Sequence, residues 1–171
     1  MKGIVFTEFF EMVEEKFGFE MADRLVNETD LASGGVYTAV GTYSHQEIVA
    51  LVVKLSEISK IPLPQLLNAF GHHLFKVFLN TYSQFFEHVN DCFEFLGNID
   101  SYIHVEVLKL YPDAELPKFE VLEHTNSTLI MQYESKRSMS DLAYGLMEAA
   151  AEHFKEPMEI KMDTVKEDGS V

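Results

Sequence analysis

The sequence predicts an α+β fold of about seven helices and a small antiparallel sheet. Apolar residues recur at helical spacing through most of the first 111 positions, and they alternate with polar residues in two short runs between positions 119 and 133. At 171 residues the chain is long enough to bury a core and enclose a ligand. We therefore expect one domain over residues 1–171.

The amino-terminal part is predicted to be helical. From Ile4 to Phe17, apolar residues alternate with glutamates at helical spacing, and Gly18 ends the run. A shorter helix is expected at about residues 20–27. The glycines Gly34 and Gly35 then indicate a loop.

The third and fourth helices have clear start signals. Ser44 and Glu47 have the Ser-x-x-Glu spacing of a capping box, and apolar residues follow at helical intervals. Pro62 and Pro64 separate this helix from the next, because proline favours the first turn of a helix. The fourth helix is expected to end near Asn80.

A longer helix is predicted from Asp91, with Asn90 as its cap, to Tyr111, where Pro112 stops it. His104 lies within this helix, between a more polar and a more apolar stripe. The segment contains no second histidine at a spacing that would chelate a metal.

A hairpin and a last helix follow. The runs 119–121 and 128–133 are rich in strand formers, and Asn126-Ser127 supplies the turn. A helix beginning at Ser138 comes next, in which Gly145 permits close approach of a neighbouring element.

The carboxyl-terminal segment predicts one more strand. Met158, Ile160 and Met162 alternate with charged residues, and Glu167–Ser170 has the composition of a turn. Because no partner for this strand follows, we expect the natural protein or its family to continue with a further strand.

Composition excludes several classes of function. A net charge of −15, from 28 acidic and 13 basic residues, argues against binding to nucleic acid or an anionic membrane. No signal peptide or membrane-spanning run is present, which predicts a cytoplasmic protein. The single cysteine, Cys92, excludes an internal disulfide.

Motifs for hydrolytic metal sites, nucleophilic serine or cysteine, and phosphate-binding loops are missing from the sequence, so we expect no enzyme. His72 and His73 are adjacent, which on one helix points them about 100° apart, so they cannot chelate a metal jointly. The other histidines except His104 lie near predicted element ends, where a surface position is expected.

Tyr133, Ser135 and Arg137 form a possible carboxylate clamp at the exit of the second strand. Arginine presents a planar fork of donors that suits a carboxylate, and the two hydroxyls add directional donors. The alternative is that Tyr133 and Ser135 are ordinary strand residues and Arg137 is a surface charge.

The run Tyr133-Glu134-Ser135-Lys136-Arg137, the helix with His104 that ends at Tyr111-Pro112, and Leu116-Pro117 resemble the H-NOX family, which binds haem and senses nitric oxide or oxygen. The resemblance covers nearly the whole chain. It implies haem b held between a distal lobe of about residues 1–62 and a proximal lobe of about 63–171. His104 would be the single protein ligand to iron, the clamp would hold the propionates, and Pro117 would press on the porphyrin.

The resemblance also implies which gas is bound. Oxygen-binding members have a tyrosine five residues after the clamp arginine, where this chain has Leu142, and the matching distal positions Phe9 and Leu74 are apolar too. Simple core packing would explain the same residues. Tyr144 is two helical positions from Leu142 and should face elsewhere. The expected cofactor-binding set is completed by Val5, Phe78 and Leu146.

The implied function is a sensor that binds nitric oxide and CO and excludes oxygen. Nitric oxide would weaken the bond between iron and His104 and let the helix relax. The signal would pass to a separate histidine kinase or cyclic-di-GMP enzyme. Val165 stands where many relatives place the first cysteine of a zinc cluster, so that cluster should be missing. The alternatives are an oxygen-binding or redox haem protein, and a haem-free interaction domain.

Overall fold

The computed structural model describes residues 1–87, 89–137 and 139–163. In these ranges the chain forms seven α-helices and one two-stranded antiparallel sheet, as predicted. The elements are α1 (Gly3–Phe17), α2 (Phe19–Glu28), α3 (His45–Ser59), α4 (Leu63–Thr81), α5 (Cys92–Gly97), α6 (His104–Leu110), β1 (Lys118–His124), β2 (Leu129–Glu134) and α7 (Ser140–Phe154), with a 3₁₀ turn at Ser83–Phe85 and a π-helical segment at Ile99–Ile103.

The start of α3 confirms one half of the predicted capping box. The Ser44 hydroxyl accepts a hydrogen bond from the Gln46 amide at 3.3 Å. The second half is wrong, because the Glu47 carboxylate turns inward. It accepts hydrogen bonds from the Ser33 hydroxyl and, at 2.8 Å, from the Tyr37 hydroxyl. A buried carboxylate needs several donors, and the loop before α3 supplies them.

Two hydrophobic cores meet along α4. The amino-terminal core gathers buried residues from α1, α2, α3 and the first half of α4, together with Met139. The second core contains Phe75, Cys92, Phe95, Leu96 and Ala149–Ala151. Because α4 contributes Leu74 to one core and Phe75 to the other, it joins both halves of the molecule. The division into lobes at residue 62 stays a prediction.

Helices α4 and α7 cross at two glycines. A Cβ atom on Gly145 would lie 2.2 Å from the Asn68 carbonyl oxygen, and one on Gly71 would lie 2.5 Å from the Leu142 carbonyl oxygen. Neither position tolerates a side chain without movement of the backbone. The close approach predicted at Gly145 is confirmed.

The prediction of a single long helix from Asp91 to Tyr111 is wrong, because the segment is divided into two α-helices with a π-helical segment between them. Asp91, rather than Asn90, is the cap, and its carboxylate accepts the Glu94 amide at 2.7 Å. α5 ends at Gly97, and the π-helical segment leads into α6. Apolar spacing did not reveal this segment, because Phe93, Leu96, Ile99, Ile103 and Val107 are separated by three or four residues, as they would be in an unbroken α-helix.

The predicted hairpin is confirmed. β1 and β2 pair antiparallel, with an irregularity between Val121 and Glu123. Tyr133 lies at the end of β2, and Ser135 and Arg137 follow it. The predicted strand at 158–163 is wrong, since those residues pair with no strand in the described part of the chain.

Some sequence predictions fall on residues outside the described ranges. These are the helix start at Ser138, the turn at Glu167–Ser170, the surface position of His88 and the comparison at Val165. The described part of the last helix begins at Ser140. Within the described residues, no helix is both long enough and apolar enough to cross a membrane.

Candidate functional site

A cavity of about 300 Å³ lies between the helical layer of α1, α4 and α7 on one side and α6 with the hairpin on the other. Its volume is at the lower end of the range for small-molecule sites, about 300–1,000 Å³. Its walls are mostly aliphatic and aromatic. The predicted site residues that line it are Val5, Leu74, Phe78, His104, Pro117, Tyr133, Ser135, Arg137, Leu142 and Leu146.

Phe9 is the one predicted site residue that does not line this cavity. Its ring is fully buried in the amino-terminal core. It makes edge contacts with Phe10 and Phe70, at centroid distances of 5.7 and 5.5 Å. Phe9 therefore lies behind the wall, and Val5, one helical turn earlier in α1, faces the cavity.

His104 is the first residue of α6, and its imidazole faces the cavity. Its Nδ1 lies 2.6 Å from an Asp100 carboxylate oxygen in the π-helical segment. Burial lowers the pKa of His104, and the hydrogen bond and charge of Asp100 oppose that shift. The neutral ring therefore donates through Nδ1–H. Its Nε2 has no hydrogen-bond partner among the described residues and is left as the free electron-pair donor.

Tyr133, Ser135 and Arg137 come together at one edge of the cavity. Burial raises the pKa of Tyr133, while a hydrogen bond to the Ser135 side chain acts in the opposite direction. The Arg137 amide donates to the Ser135 hydroxyl at 3.2 Å, which fixes the turn after β2.

The Arg137 side chain already binds a carboxylate. Its guanidinium donates to a Glu115 carboxylate oxygen at 3.2 Å. The Arg137 side chain is 11% exposed, whereas that of Glu115 is 79% exposed. The Glu115 carboxylate is exposed and the Arg137 guanidinium is nearly buried. Another carboxylate can therefore replace Glu115 with little loss of free energy.

A second polar cluster on the cavity was not predicted. The Lys2 ammonium donates to the Thr42 hydroxyl at 2.9 Å and to Asp113 at 3.2 Å, and it lies 5.4 Å from the centre of the Tyr111 ring. The Tyr111 hydroxyl lies 3.1 Å from that of Tyr82, whose pKa is raised to about 12, chiefly by burial. No local motif signals this cluster, because its members are far apart in the chain.

Aromatic residues of the cavity were also missed. Phe119, at the start of β1, has its ring 6.0 Å from that of His104 and 5.1 Å from that of Tyr133. It thus packs between the two chemically distinct ends of the site. The alternation of Phe119 and Val121 with polar residues predicted the strand, but it did not indicate which face of the strand lines the cavity.

Comparison with known proteins identifies the family of this chain. Residues 2–162 match the family model described as Haem-NO-binding. The chain belongs to the H-NOX family. This is a family of haem-based gas-sensor domains rather than of enzymes.

Solved structures agree with this assignment. The H-NOX protein of K. algicida, in the Fe(II) unliganded state, is 44% identical and superposes with a TM-score of 0.95, covering 99% of this chain and 91% of that one. The H-NOX protein of S. oneidensis in the Fe(II)NO state is 27% identical, with a TM-score of 0.88 and coverages of 96% and 91%.

A third structure is the IWP-051-bound H-NOX of Shewanella woodyi in the Fe(II)CO state, which is 44% identical with a TM-score of 0.79 and coverages of 92% and 83%. No curated protein matches the sequence.

The residues of the cavity fit the haem of an H-NOX domain. Apolar walls suit the macrocycle, the free Nε2 of His104 suits a bond to iron, and the Arg137 guanidinium already donates to a carboxylate. The wall formed by Val5, Leu74 and Leu142 contains no side-chain donor. Tyr144 does not line the cavity, and its hydroxyl donates to the Ile160 carbonyl oxygen at 3.5 Å.

Proposed function

We propose that this H-NOX domain is a cytoplasmic nitric-oxide sensor that holds haem b through His104 and also binds CO. Bound haem would supply a ferrous iron that can bind a diatomic gas, and His104 would hold that iron. The observation that carries the proposal is the single free imidazole nitrogen facing an apolar cavity with a carboxylate-binding arginine at its edge.

Asp100 is proposed to act as a positioning residue. A histidine that ligates a metal usually donates its other ring N–H to a carboxylate or carbonyl, which fixes the tautomer and makes the ligating nitrogen more basic. The 2.6 Å contact between Asp100 and His104 Nδ1 has this form. Asp100 lies four residues before His104, in the π-helical segment, so both side chains project from neighbouring turns of the same helical stretch.

Tyr133, Ser135 and Arg137 are proposed to hold the propionates. Arg137 would exchange the exposed Glu115 for a propionate, and the two hydroxyls would donate to the carboxylates. Pro117 lines the same cavity, next to the hairpin, and is proposed to contact the porphyrin face on the side of His104.

The apolar wall supports selectivity for nitric oxide over oxygen. Oxygen is retained in haem proteins when the distal pocket offers a hydrogen-bond donor, whereas nitric oxide binds ferrous iron without one. Val5, Leu74, Leu142 and Leu146 offer no such donor. Tyr82 and Tyr111 also line the cavity, and their hydroxyls lie 3.1 Å apart, so each hydroxyl has the other as a hydrogen-bond partner.

Signalling is proposed to pass through α6 to a separate histidine kinase or cyclic-di-GMP enzyme. The helix has His104 on the cavity side, while Val105 and Leu108 are 44% and 41% exposed. A shift of His104 relative to the opposite wall would therefore reposition an apolar surface. A gas that binds one arrangement more tightly than the other shifts their populations.

An absorption spectrum of the purified, reduced protein tests the proposal. We expect a Soret band that moves with nitric oxide and with CO and does not change to a long-lived oxygenated form in air. A stable oxygenated form would indicate an oxygen-binding protein. Lack of any Soret band after reconstitution with haem would indicate an interaction domain.

The ligand assignment has its own test. His104→Gly should lose haem during purification, and imidazole in the medium should restore binding because it can occupy the space of the deleted ring. His124→Gly is the control, since His124 is exposed and does not line the cavity. An unchanged ferrous spectrum of His104→Gly without imidazole would show that another residue binds the iron.

A further inference from the structure

We propose that Glu8, Glu11 and His73 form a second metal site, independent of the haem cavity, that binds a divalent transition metal ion such as Zn²⁺. Glu8 and Glu11 belong to α1, and His73 belongs to α4. One imidazole nitrogen and two carboxylates are a ligand set that zinc accepts, and three protein ligands leave a position for water.

The distances between the ligand atoms suit a single ion. One ligand atom from each residue lies within 4.8 Å of the others, and His73 Nε2 lies 3.2 Å from a Glu8 carboxylate oxygen. Ligands about 2.0–2.2 Å from zinc in a tetrahedron are about 3.4 Å apart. Small changes of side-chain torsion therefore bring all three into coordination.

The other nitrogen of the ring faces a further carboxylate. His73 Nδ1 lies 3.9 Å from a Glu15 carboxylate oxygen, which is beyond hydrogen-bond distance. Glu15 is one helical turn beyond Glu11 on the same face of α1. Glu15 therefore adds negative charge beside the ring without binding the ring itself.

The local charge also favours a divalent ion. The side chains of His73 and Glu8 are only 15% and 13% exposed. In the described part of the chain, no lysine or arginine forms an ion pair with Glu8, Glu11 or Glu15. A divalent ion would neutralise two of these three carboxylates.

His72 provides a contrast on the same helix. Its Nε2 lies 3.5 Å from Glu148, and its Nδ1 lies 3.7 Å from Glu152. The two carboxylates approach opposite edges of the ring and so cannot share one ion with it. His72, like His73, has two carboxylates near its ring, but they do not converge on one of its nitrogens.

Calorimetric titration of the haem-loaded, tag-free protein with Zn²⁺ tests the site. The protein is first treated with a chelator, and excess Mg²⁺ is present to occupy nonspecific acidic positions. We expect one zinc ion per chain. His73→Ala, Glu8→Gln and Glu11→Gln should each weaken binding by about 10-fold or more, as loss of even an outer partner does. His72→Ala should leave the affinity unchanged.

Two readouts separate loss of the site from misfolding. The circular dichroism and haem spectra of each variant are compared with those of the wild type, and the imidazole NMR signals of the wild type are recorded with and without Zn²⁺. The signals of His73 should shift and those of His72 should not. Lack of stoichiometric binding by the wild type, equal affinity in His73→Ala, or equal loss in His72→Ala would each overturn the proposal.

Discussion

At the scale of single residues, the site depends on Arg137 and His104, each of which has a polar partner that leaves part of the side chain able to bind a ligand. Arg137 is held inside the molecule while its partner Glu115 is in solvent, and His104 is held by Asp100 at one nitrogen only. Each residue thus keeps one binding function available. This is why their substitution should affect haem retention more than folding.

Arg137→Ala should raise the haem dissociation constant most among the clamp variants. Loss of a hydrogen bond to a charged group costs about 1.5–3 kcal/mol, or roughly 10- to 100-fold in affinity. Tyr133→Phe and Ser135→Ala each remove a single hydroxyl and should have smaller effects. Haem transfer to an excess acceptor protein measures this, with the exposed Lys136→Ala as control. Identical transfer rates in all four variants would remove the clamp from the proposed site.

Haem retention should also depend on pH through His104. Burial lowers its pKa below the ordinary value of 6.5, so the folded protein favours the neutral ring. Iron binds the neutral ring, so a proton competes with haem only when the pH falls through the lowered pKa. We expect constant haem transfer rates from pH 8 to 6.5 and faster transfer only once the pH reaches the lowered pKa of His104. In the imidazole-rescued His104→Gly protein the same loss should instead follow the pKa of free imidazole, and an identical acid profile would contradict this origin.

At the scale of secondary-structure elements, α4 and α7 cross with their backbones close together at Gly71 and Gly145. Gly145→Ala should destabilise the protein by about 1–3 kcal/mol, because the new Cβ atom meets the backbone of Asn68 and cannot be relieved by a rotamer change. Urea unfolding measures the effect. Gly97→Ala is the matched control, since the nearest atom to its Cβ would be 3.7 Å away, on His124. An equal change in the two variants would mean that the crossing is not the cause.

The same scale shows what the sequence could predict. Helical spacing and alternation predicted α1 to α4 and β2 within one or two residues, since each pattern has one dominant period, whereas β1 extends three residues beyond the predicted run 119–121. The π-helical segment before α6 was missed because its apolar spacing fits a regular helix. The inward turn of Glu47 was missed because its partners, Ser33 and Tyr37, come from the preceding loop and from no local motif. The strand predicted at 158–163 was wrong because alternation cannot show whether a partner strand is available.

The residues that line the cavity also include some that the sequence could predict and some that it could not. That His104 and the clamp residues line one cavity could be predicted, because their spacing along the chain resembles a family signature. Lys2 and Tyr82 reach the cavity from distant segments and were not predicted. Glu8, Glu11 and His73 are a similar case. Their convergence on two helices has no local motif, so the sequence indicated only unrelated surface charges.

At the scale of the whole molecule, the net charge lowers the stability of the folded chain. A net charge of −15 on 171 residues makes the folded chain repel itself, and the ion pairs on its surface, such as Arg24–Glu28 and Lys118–Glu120, are exposed. Exposed pairs contribute little, so salt should relieve more repulsion than it removes attraction.

The urea midpoint should therefore rise when NaCl is increased from about 0.01 to 0.15 M, as the screening length falls from roughly 30 to 8 Å. KCl at equal ionic strength should have the same effect, which identifies screening rather than specific binding. A midpoint that falls with both salts would show that attractive pairs outweigh the net charge.

The position of His104 and Tyr133 on one cavity has a further consequence for local opening. They belong to segments joined by the end of α6, a loop and β1, and an isolated two-stranded hairpin is at best marginally stable in water. A ligand that binds both segments raises the free energy needed to separate the hairpin from α6. Amide hydrogen exchange along β1 and β2 should therefore be slower in the haem-loaded protein than in the haem-free protein.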